Sequence, residues 1–292
     1  DLCVVCNMNK TLMKLIADSG STKTEWITDK LTVTTNGINP VRDSKEEISR
    51  ILSTELMPLL CANHIAPESI TEIHFYGAGC IEPVSAGVSN ALKQLFFLAK
   101  INVYTDLLGA ARALCGRAEG IACILGTGSN SCYCKDGAIL SNTSPMGYIL
   151  GDEGSGAVLG KLLISEMLKG DLRYLWNQFS EEYSLTTADI INNVYRKPQA
   201  NKYLASFVPF IKRNIEKSGV RAMVVEEFCR FLRRNVIPYD RKDLSVNFVG
   251  GVACNFSAEI TLACQQCGLV CGKFIERPAL EMLKYHFMLF NI

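Results

Sequence analysis

Residues 14–28 read KLIADSGSTKTEWIT, and this stretch decides the fold. It opens with an apolar run, turns at glycine, serine and threonine, and continues into a second apolar run, a pattern typical of a β-hairpin. Residues 120–135, GIACILGTGSNSCYCK, repeat the pattern, and the turn glycines Gly20 and Gly128 lie 108 residues apart. The two copies predict an approximate internal duplication with one phosphate-sized turn in each half.

The segments outside the hairpins alternate between helical and strand patterns. Before the second hairpin, apolar periodicity predicts helices over 44–60, 84–100 and 107–115 and strands over 71–76 and 101–105. After it, the periodicity predicts helices over 152–169, 187–195, 201–218, 220–236 and 255–268 and a buried strand over 245–249. Strands that alternate with helices predict an α/β protein.

Length and composition exclude several classes of protein. The chain has 292 residues, 30 basic and 29 acidic side chains and a hydrophobic fraction of 48%, which predicts a globular protein of about two domains. A formal net charge of +1 without a basic block argues against nucleic-acid binding. No apolar run approaches the ~18 residues of a membrane span, and no signal peptide is evident. We therefore expect a cytoplasmic protein with neither nucleic acid nor membrane as a partner.

The 13 cysteines are interpreted as free thiols, because they are odd in number and spread over a long apolar chain. Cys3 with Cys6, and Cys264 with Cys267 and Cys271, have spacings that resemble metal-ligand spacings. Structural zinc and iron–sulfur sites usually need four ligands, and no histidine lies near these cysteines in the sequence. Residues 1–12 precede the first strand pattern and are interpreted as a leader or extension.

The first hairpin turn suits a polyphosphate, because it gathers backbone N–H groups, hydroxyls and one ammonium group. The candidate phosphate-binding residues are Gly20, Ser21, Thr22, Lys23 and Thr24. Asp18, at the end of the preceding strand, is a candidate to hold Mg²⁺ through water. The alternative is an ordinary hairpin turn, since glycine, serine and threonine are also common turn residues. Neither a Walker loop nor a complete dinucleotide-binding glycine fingerprint occurs in the chain.

Carboxylates and a pair of glycines supply further candidates. Asp106 follows a strand and starts a helix, a place where a carboxylate can act as a general base in phosphoryl transfer or simply cap the helix. Asp152 and Glu153, in the run Gly-Asp-Glu-Gly-Ser, have the same two interpretations. Gly250 and Gly251 follow a buried strand, where missing Cβ atoms allow either an adenine ring or a tight strand-to-helix turn.

Taken in order, these motifs resemble the BadF/BadG/BcrA/BcrD-type ATPases of the actin-like ATPase superfamily, a group that includes N-acetylglucosamine kinases. The resemblance rests on Asp-x-Gly-Ser-Thr-Lys-Thr from Asp18, Gly-Thr-Gly-Ser-Asn from Gly126, Gly-Asp-Glu-Gly-Ser from Gly151, and Gly250-Gly251. It implies two ribonuclease H-like domains with an interdomain nucleotide cleft that binds ATP and Mg²⁺. We expect domains over 13–118 and 119–278, with a helix over 279–292 packing back on the first.

The resemblance also implies roles for individual residues. Asp106 resembles the catalytic base of the family and a contact of the acceptor. The phosphates are expected at Thr127 and Gly128, and adenosine at Gly250 and Gly251. The remaining residues that match acceptor-binding positions are Asn39, Ser129, Asn130, Gly147 and Asp152. Related kinases carry Gly-Gly-Trp-Gly before the Gly-Asp-Glu-Gly-Ser run, where this chain has Ser-Pro-Met-Gly around Met146, so the sugar itself stays open.

The expected activity is transfer of the ATP γ-phosphoryl group to a hydroxyl of an amino sugar, N-acetylglucosamine or a relative. Two alternatives remain at this stage. One is an ATPase that activates a 2-hydroxyacyl-CoA dehydratase through an iron–sulfur cluster shared by two subunits, for which Cys123, Cys132 and Cys134 lie near the second turn. The other is a nucleotide-dependent sensor without turnover. A homodimer is compatible with each activity.

Overall fold

The computed structural model describes residues 13–20 and 22–288. The chain divides into two compact units, which are treated separately. The first unit runs to Gly109 and also includes the segment from Ala279 onward, and the second unit is Ala110–Pro278. Each unit contains one five-stranded sheet with flanking helices, so the predicted α/β class is confirmed.

The strands are β1 Met13–Ser19, β2 Lys23–Ile27, β3 Thr32–Asn36, β4 Ile70–Gly77, β5 Lys100–Thr105, β6 Gly120–Leu125, β7 Ser129–Lys135, β8 Ala138–Thr143, β9 Ser245–Val249 and β10 Val270–Ile275. The helices are α1 Lys45–Ile51, α2 Met57–Ala62, α3 Ser85–Leu95, α4 Asp106–Cys115, α5 Gly147–Leu150, α6 Gly156–Lys169, α7 Trp176–Tyr183, α8 Thr187–Tyr195, α9 Ala200–Ala205, α10 Val208–Arg213, α11 Val220–Asn235, α12 Gly251–Asn255, α13 Ser257–Gln266 and α14 Pro278–Met288. A π-helical turn, Leu52–Leu56, joins α1 to α2.

The two sheets have the same topology. In the first unit the strand order is β3-β2-β1-β4-β5, and in the second it is β10-β9-β6-β7-β8, which is the same order in reverse. In the first sheet β2 is antiparallel to both β1 and β3, whereas β4 is parallel to β1 and β5 is parallel to β4. In the second sheet β7 is antiparallel to both β6 and β8, whereas β9 is parallel to β6 and β10 is parallel to β9. Both predicted hairpins are therefore confirmed, and each is extended by a third strand.

The buried side chains explain why these segments form sheets. β1 is central in its sheet and nearly all of its residues are buried, which accounts for its continuous apolar run. Trp26 and Phe75 pack together in the first core, with ring centroids 5.7 Å apart. In the second core Phe179 contacts Phe207 and Phe210, with centroids 5.0 and 5.2 Å away. Each unit thus has a hydrophobic core of its own.

Two predicted helices are shorter than the periodicity indicates. The helix expected over 84–100 ends at Leu95, because Phe96 turns into the core while Phe97 stays 69% exposed. The helix expected over 201–218 is split into α9 and α10, because Pro209 lacks an N–H and its ring would clash with the carbonyl of residue 205.

The helix expected over 152–169 begins instead at Gly156, with Ser155 as its N-cap and the Ser155 hydroxyl accepting from the Val158 N–H. Asp152 has a positive φ of 52° and Gly154 one of 72°, so the residues before the helix form a turn. Among the described residues, no helix is long and apolar enough to cross a membrane.

Candidate functional site

The first hairpin turn is held by backbone hydrogen bonds. The Gly20 N–H donates to the Lys23 carbonyl over 3.0 Å, and the Gly37 N–H donates to the Thr22 carbonyl over 3.1 Å. A Cβ at residue 37 would lie 2.4 Å from the Gly20 carbonyl oxygen, so only glycine fits beneath the turn. Residue pattern alone does not single out Gly37, because this contact is long-range.

The predicted phosphate-binding residues differ in how they are presented. Gly20, Thr22 and Lys23 are exposed at the turn, while Ser21 lies outside the described residues. Thr24 is fully buried, and its hydroxyl bonds to the Ser19 hydroxyl (2.6 Å) and to the Asn36 carbonyl (3.1 Å). The Thr24 hydroxyl thus stabilises the sheet, and the exposed part of the turn is left to meet a ligand.

Carboxylates meet at the carboxyl end of β1. Asp18 stands directly opposite Glu25 in the antiparallel β1–β2 pair, and directly opposed residues share one face of a sheet. Burial raises the pKa of Asp18 to about 7, with further increases from the negative charges of Asp106 and Glu25 and a decrease from Lys23. The first unit thus brings together two predicted site residues, Asp18 and Asp106, and one that the sequence did not single out, Glu25.

Asp106 is the first residue of α4, directly after β5. The Thr105 hydroxyl accepts from the Leu108 N–H (3.3 Å), which is the hydrogen bond of an N-cap, and the Asp106 carboxylate accepts from the adjacent Leu107 N–H (2.9 Å). Thr105 therefore takes the N-cap position, and Asp106 satisfies one further N–H of the first turn. Burial raises the pKa of Asp106, while the hydrogen bond from Leu107 opposes this rise.

Asn39 follows β3 at a turn that fixes its side chain. The Asn39 amide oxygen accepts from the Val41 N–H over 3.0 Å, and its own N–H donates to an Asp43 carboxylate oxygen over 2.8 Å. Gly79, with a φ of +76°, lies so close that a Cβ there would be 2.5 Å from the Asn39 amide oxygen. The amide oxygen of Asn39 is therefore held by the turn, which leaves the NH₂ group as the part of the side chain that could donate to a ligand.

In the second unit, the turn between β6 and β7 is anchored to the start of α6. The Gly126 carbonyl accepts from the Gly156 N–H (2.8 Å), and the Thr127 carbonyl accepts from the Ala157 N–H (3.1 Å). The Ser129 N–H donates weakly to an Asp152 carboxylate oxygen over 3.4 Å. Segments that are remote in sequence therefore form one turn cluster.

Asp152 is fixed in that cluster by packing. Its other carboxylate oxygen would lie 3.1 Å from a Cβ at residue 128, so the absence of a side chain at Gly128 makes room for it. The Asp152 N–H donates to the Pro145 carbonyl over 2.8 Å. Burial, and to a lesser extent the charge of Glu153, raise the pKa of Asp152 to about 6, against the hydrogen bond from Ser129.

The remaining predicted residues of the second unit lie on the same turn or beyond it. The Asn130 amide oxygen accepts from the Ser131 N–H and from the Asn142 amide, each over 2.9 Å. Met146 is 60% exposed, and Gly147 is exposed beside it. The helix α5 therefore begins next to an exposed thioether side chain.

The two glycines after β9 differ in the space around them. Gly250 has a φ of +110°, and a Cβ there would lie 2.4 Å from the Leu125 carbonyl oxygen, so this glycine lets β9 approach the end of β6. Gly251 starts α12, and among the described residues outside its own helix and its chain neighbours no heavy atom lies within 4 Å of the place a Cβ would take. A planar ring could therefore approach the backbone at Gly251.

The described residues contain no group of three or more histidine, cysteine, aspartate or glutamate side chains that could hold a metal ion. Cys264 is buried in α13, and Cys267 is the C-cap of that helix. Cys3 and Cys6 lie outside the described residues, as do the predicted leader and the end of the predicted C-terminal helix.

The chain is similar to proteins of known structure and to a curated relative. Two crystal structures that carry the name "Putative N-acetylglucosamine Kinase" are similar: one from Porphyromonas gingivalis, 43% identical, covering 96% of this chain and 100% of that chain with a TM-score of 0.90, and one from Chromobacterium violaceum, 18% identical, covering 94% and 99% with a TM-score of 0.69. The second of these shows the fold alone.

A curated relative, the N-acetylmuramic acid/N-acetylglucosamine kinase of Clostridium acetobutylicum, is 28% identical over 229 residues, which are 73% of this chain and 74% of the relative. No family model matches the chain. Because the chain shares 43% identity with the Porphyromonas gingivalis protein over that protein's whole length, it belongs to the N-acetylglucosamine kinase family.

Proposed function

We propose that this protein is an ATP-dependent sugar kinase that transfers the γ-phosphoryl group to a hydroxyl of an amino sugar, with N-acetylglucosamine as the first candidate. The observation that carries the proposal is Asp106. Thr105 takes the N-cap position beside it, and the Asp106 carboxylate stands at the end of a strand and acts electrostatically on Asp18 in the same unit. The names of the Porphyromonas and Clostridium relatives support the choice of an amino sugar.

Asp106 is assigned as the general base. One of its oxygens accepts a backbone hydrogen bond from Leu107, which orients the carboxylate and leaves the other oxygen for the acceptor hydroxyl. Its raised pKa brings the carboxylate closer in basicity to the proton it must take up. Asp106 then receives the hydroxyl proton as the sugar oxygen bonds to the γ-phosphorus and the bond to the β-phosphate oxygen breaks.

ATP and Mg²⁺ are proposed as cofactors on the chemistry of the residues present. The exposed backbone and side chains of Gly20, Thr22 and Lys23 fit phosphate oxygens, and the open backbone at Gly251 fits a planar base. Asp18 offers carboxylate oxygens, the ligand type that Mg²⁺ prefers, in surroundings where its negative charge is disfavoured. When bound, Mg²⁺ neutralises charge on the phosphates, and Asp18 holds it through water.

The acceptor-binding residues that the resemblance implies are kept as proposals, and each unit is considered by itself. In the first unit, Asn39 presents a fixed amide NH₂ group to a sugar oxygen. In the second unit, Asp152 presents carboxylate oxygens to sugar hydroxyls, next to Ser129 and Asn130. We assign Thr127 and Gly128 to the phosphates and Gly147, beside Met146, to the acceptor. A carboxylate and an amide fixed by backbone hydrogen bonds are suited to discriminate among sugar hydroxyls.

A cytoplasmic location belongs to the same proposal. The eleven cysteines among the described residues are free thiols, which suits a reducing compartment. Burial of Cys123, Cys132 and Cys134, each at most 2% exposed, counts against the dehydratase-activator alternative, because a cluster shared by two subunits needs surface thiolates.

The test is ADP release with Mg-ATP and a panel of glucose, glucosamine, N-acetylglucosamine and N-acetylmuramic acid. We expect turnover that requires an N-acetylated sugar and falls by at least about 100-fold in Asp106→Asn, which keeps the shape but cannot take the proton. Asp29→Asn, an exposed carboxylate in the turn after β2, is the matched control and should be fully active. Acceptor-independent hydrolysis, or nucleotide binding without turnover, would contradict the kinase and favour the activator or the sensor.

A further inference from the structure

Asp152 and Glu153 are adjacent in sequence but serve opposite sides of their turn. The Asp152 carboxylate lies beside the second hairpin turn, whereas the Glu153 side chain is buried at 4% exposure. One Glu153 oxygen accepts from the Asn235 amide over 3.1 Å, and the other pairs with Arg234 over 3.0 Å. The Glu153 carboxylate therefore anchors the turn to the C-terminal end of α11.

One face of α11 supports the same turn along its length. Glu227, also 4% exposed, accepts from the Gly154 N–H over 3.0 Å. Phe231, four residues later, lies close to the turn: a Cβ at residue 154 would be 3.1 Å from the Phe231 Cβ. Residues at this spacing share one face of a helix, and Asn235 continues it by another turn. The turn that presents Asp152 therefore rests on α11.

Asn235 also reaches the other turn of the cluster. The Asn235 main-chain carbonyl accepts from the Ser131 hydroxyl over 2.7 Å. Ser131 belongs to β7, the strand that begins at Ser129 directly after the second hairpin turn. Tyr239 reinforces this contact, since its hydroxyl lies 2.7 Å from the Ser131 hydroxyl.

From these contacts we infer that Asn235 is a positioning residue that couples the two acceptor-side turns of the second unit, residues 126–130 and 151–154. This inference rests on the proposed function for its kinetic consequence. The buried Asn235 amide uses both of its N–H donors, one to Glu153 and one to the Phe231 carbonyl (3.2 Å), so its orientation is fixed. Asn235 holds residues 151–154 through its side chain and β7 through its main chain, so a displacement of either one is opposed by its contact with Asn235.

Asn235→Leu is the test variant, because leucine has a similar size but leaves Glu153 without its amide donor. Asn214→Leu is the matched control: Asn214 is 3% exposed, its amide donates to the carbonyl four residues earlier (2.9 Å), and that hydrogen bond does not involve either turn. Both variants lose one buried helical hydrogen bond, and only Asn235→Leu loses a contact with the turn cluster.

The first measurement is amide hydrogen exchange of the two variants. Asn235→Leu removes the side-chain donor to Glu153 and keeps the main-chain carbonyl that accepts from Ser131. Exchange should therefore rise in 151–155 by at least about fivefold and also rise in 126–131 because the main chain at residue 235 is no longer held by its side chain, while Asn214→Leu should leave both segments at the wild-type rate. Unchanged exchange in either segment would overturn the coupling. This readout needs no turnover, so it remains decisive if the wild-type protein phosphorylates no sugar and the proposed function fails.

The second measurement is kinetic. Asn235→Leu should raise the sugar KM by about tenfold, as expected for a misplaced hydrogen-bonding turn. Glu153→Gln keeps an oxygen that can accept from Asn235, so its sugar KM should stay within about threefold of wild type. Glu153→Leu should raise the sugar KM as much as Asn235→Leu does. The double variant Glu153→Leu/Asn235→Leu should show no additional increase in KM. An active wild type whose Asn235→Leu variant keeps its sugar KM, or additive losses in the double variant, would overturn the inference.

Discussion

Replacing Gly79 by alanine tests the assignment of Asn39 without touching Asn39 itself. A Cβ at residue 79 would lie 2.5 Å from the Asn39 amide oxygen and 3.0 Å from a Val41 methyl group. Ordinary van der Waals contact requires roughly 0.9 Å more between the Cβ and that oxygen. Asn39 must therefore move by nearly that distance, which strains its 3.0 Å hydrogen bond from the Val41 N–H.

The substitution has two effects that a control can separate. Alanine in the left-handed region costs about 1–2 kcal/mol wherever it occurs. Gly116 has a comparable φ of +62°, and among the described residues no heavy atom lies within 4 Å of its would-be Cβ. Gly116→Ala therefore carries the conformational cost alone, and Gly79→Ala adds the displacement of Asn39.

Steady-state kinetics and thermal unfolding of both variants give the result. A neutral hydrogen bond contributes about 0.5–1.5 kcal/mol, so Gly79→Ala should raise the sugar KM by about 2- to 12-fold. Both variants should lose a few degrees in Tm, and Gly116→Ala should keep the wild-type sugar KM. Equal sugar KM values in Gly79→Ala and wild type would refute the assignment of Asn39, and a raised KM in Gly116→Ala would attribute the effect to destabilisation.

Three further predictions concern the second unit and the helices. Gly128→Ala should push the Asp152 carboxylate, now 3.1 Å from the new Cβ, and raise the sugar KM by about 10-fold, and a wild-type KM would count against Asp152 as a ligand. Gly160→Ala places a Cβ 2.0 Å from the Leu204 carbonyl oxygen and should lower the free energy of unfolding by about 1–3 kcal/mol. In the control Gly87→Ala the new Cβ meets only an atom 4.0 Å away, so the free energy of unfolding should stay the same or rise slightly. Urea unfolding of the two variants measures the difference. The folded state raises the pKa of Asp152 from 3.8 to about 6, so ionisation of this carboxyl costs stability as pH rises through 6. Asp152→Asn should therefore be more stable than wild type at about pH 8 and lose this advantage by about pH 4. A stability advantage that grows on acidification would contradict the raised pKa.

Much of the fold follows from local pattern. Central strands such as β1 and β6 are buried on both faces, so their apolar runs are unmistakable. The edge strands β3 and β8 are largely exposed and rich in threonine, serine and asparagine, so their residue pattern does not distinguish them from loops. The early end of α3 depends on Phe96 entering a core assembled from distant segments, which no local window contains.

The candidate site shows the same division. Asp106 could be placed at the start of a helix from sequence, but which of Thr105 and Asp106 is the N-cap depends on the rotamer of Thr105. Residues 152–155 are predicted as the start of a helix but form a turn, in which the Gly154 N–H donates to Glu227, a residue of the distant helix α11. The contacts that Asn235 and Glu227 make with the turn carry no local signal, since Glu153 and Gly154 lie more than 70 residues earlier in the chain.

The division of labour between Thr105 and Asp106 has an evolutionary consequence. Because Thr105 caps the helix and an asparagine at residue 106 keeps an oxygen that can accept from the Leu107 N–H, Asp106→Asn should leave the protein folded and able to bind its ligands. On the proposed assignment, one substitution therefore separates a catalyst from a binding protein. A lineage built on this strand-to-helix junction can lose turnover while retaining recognition, so relatives with the same scaffold but asparagine at this position are expected to act as receptors for the sugar.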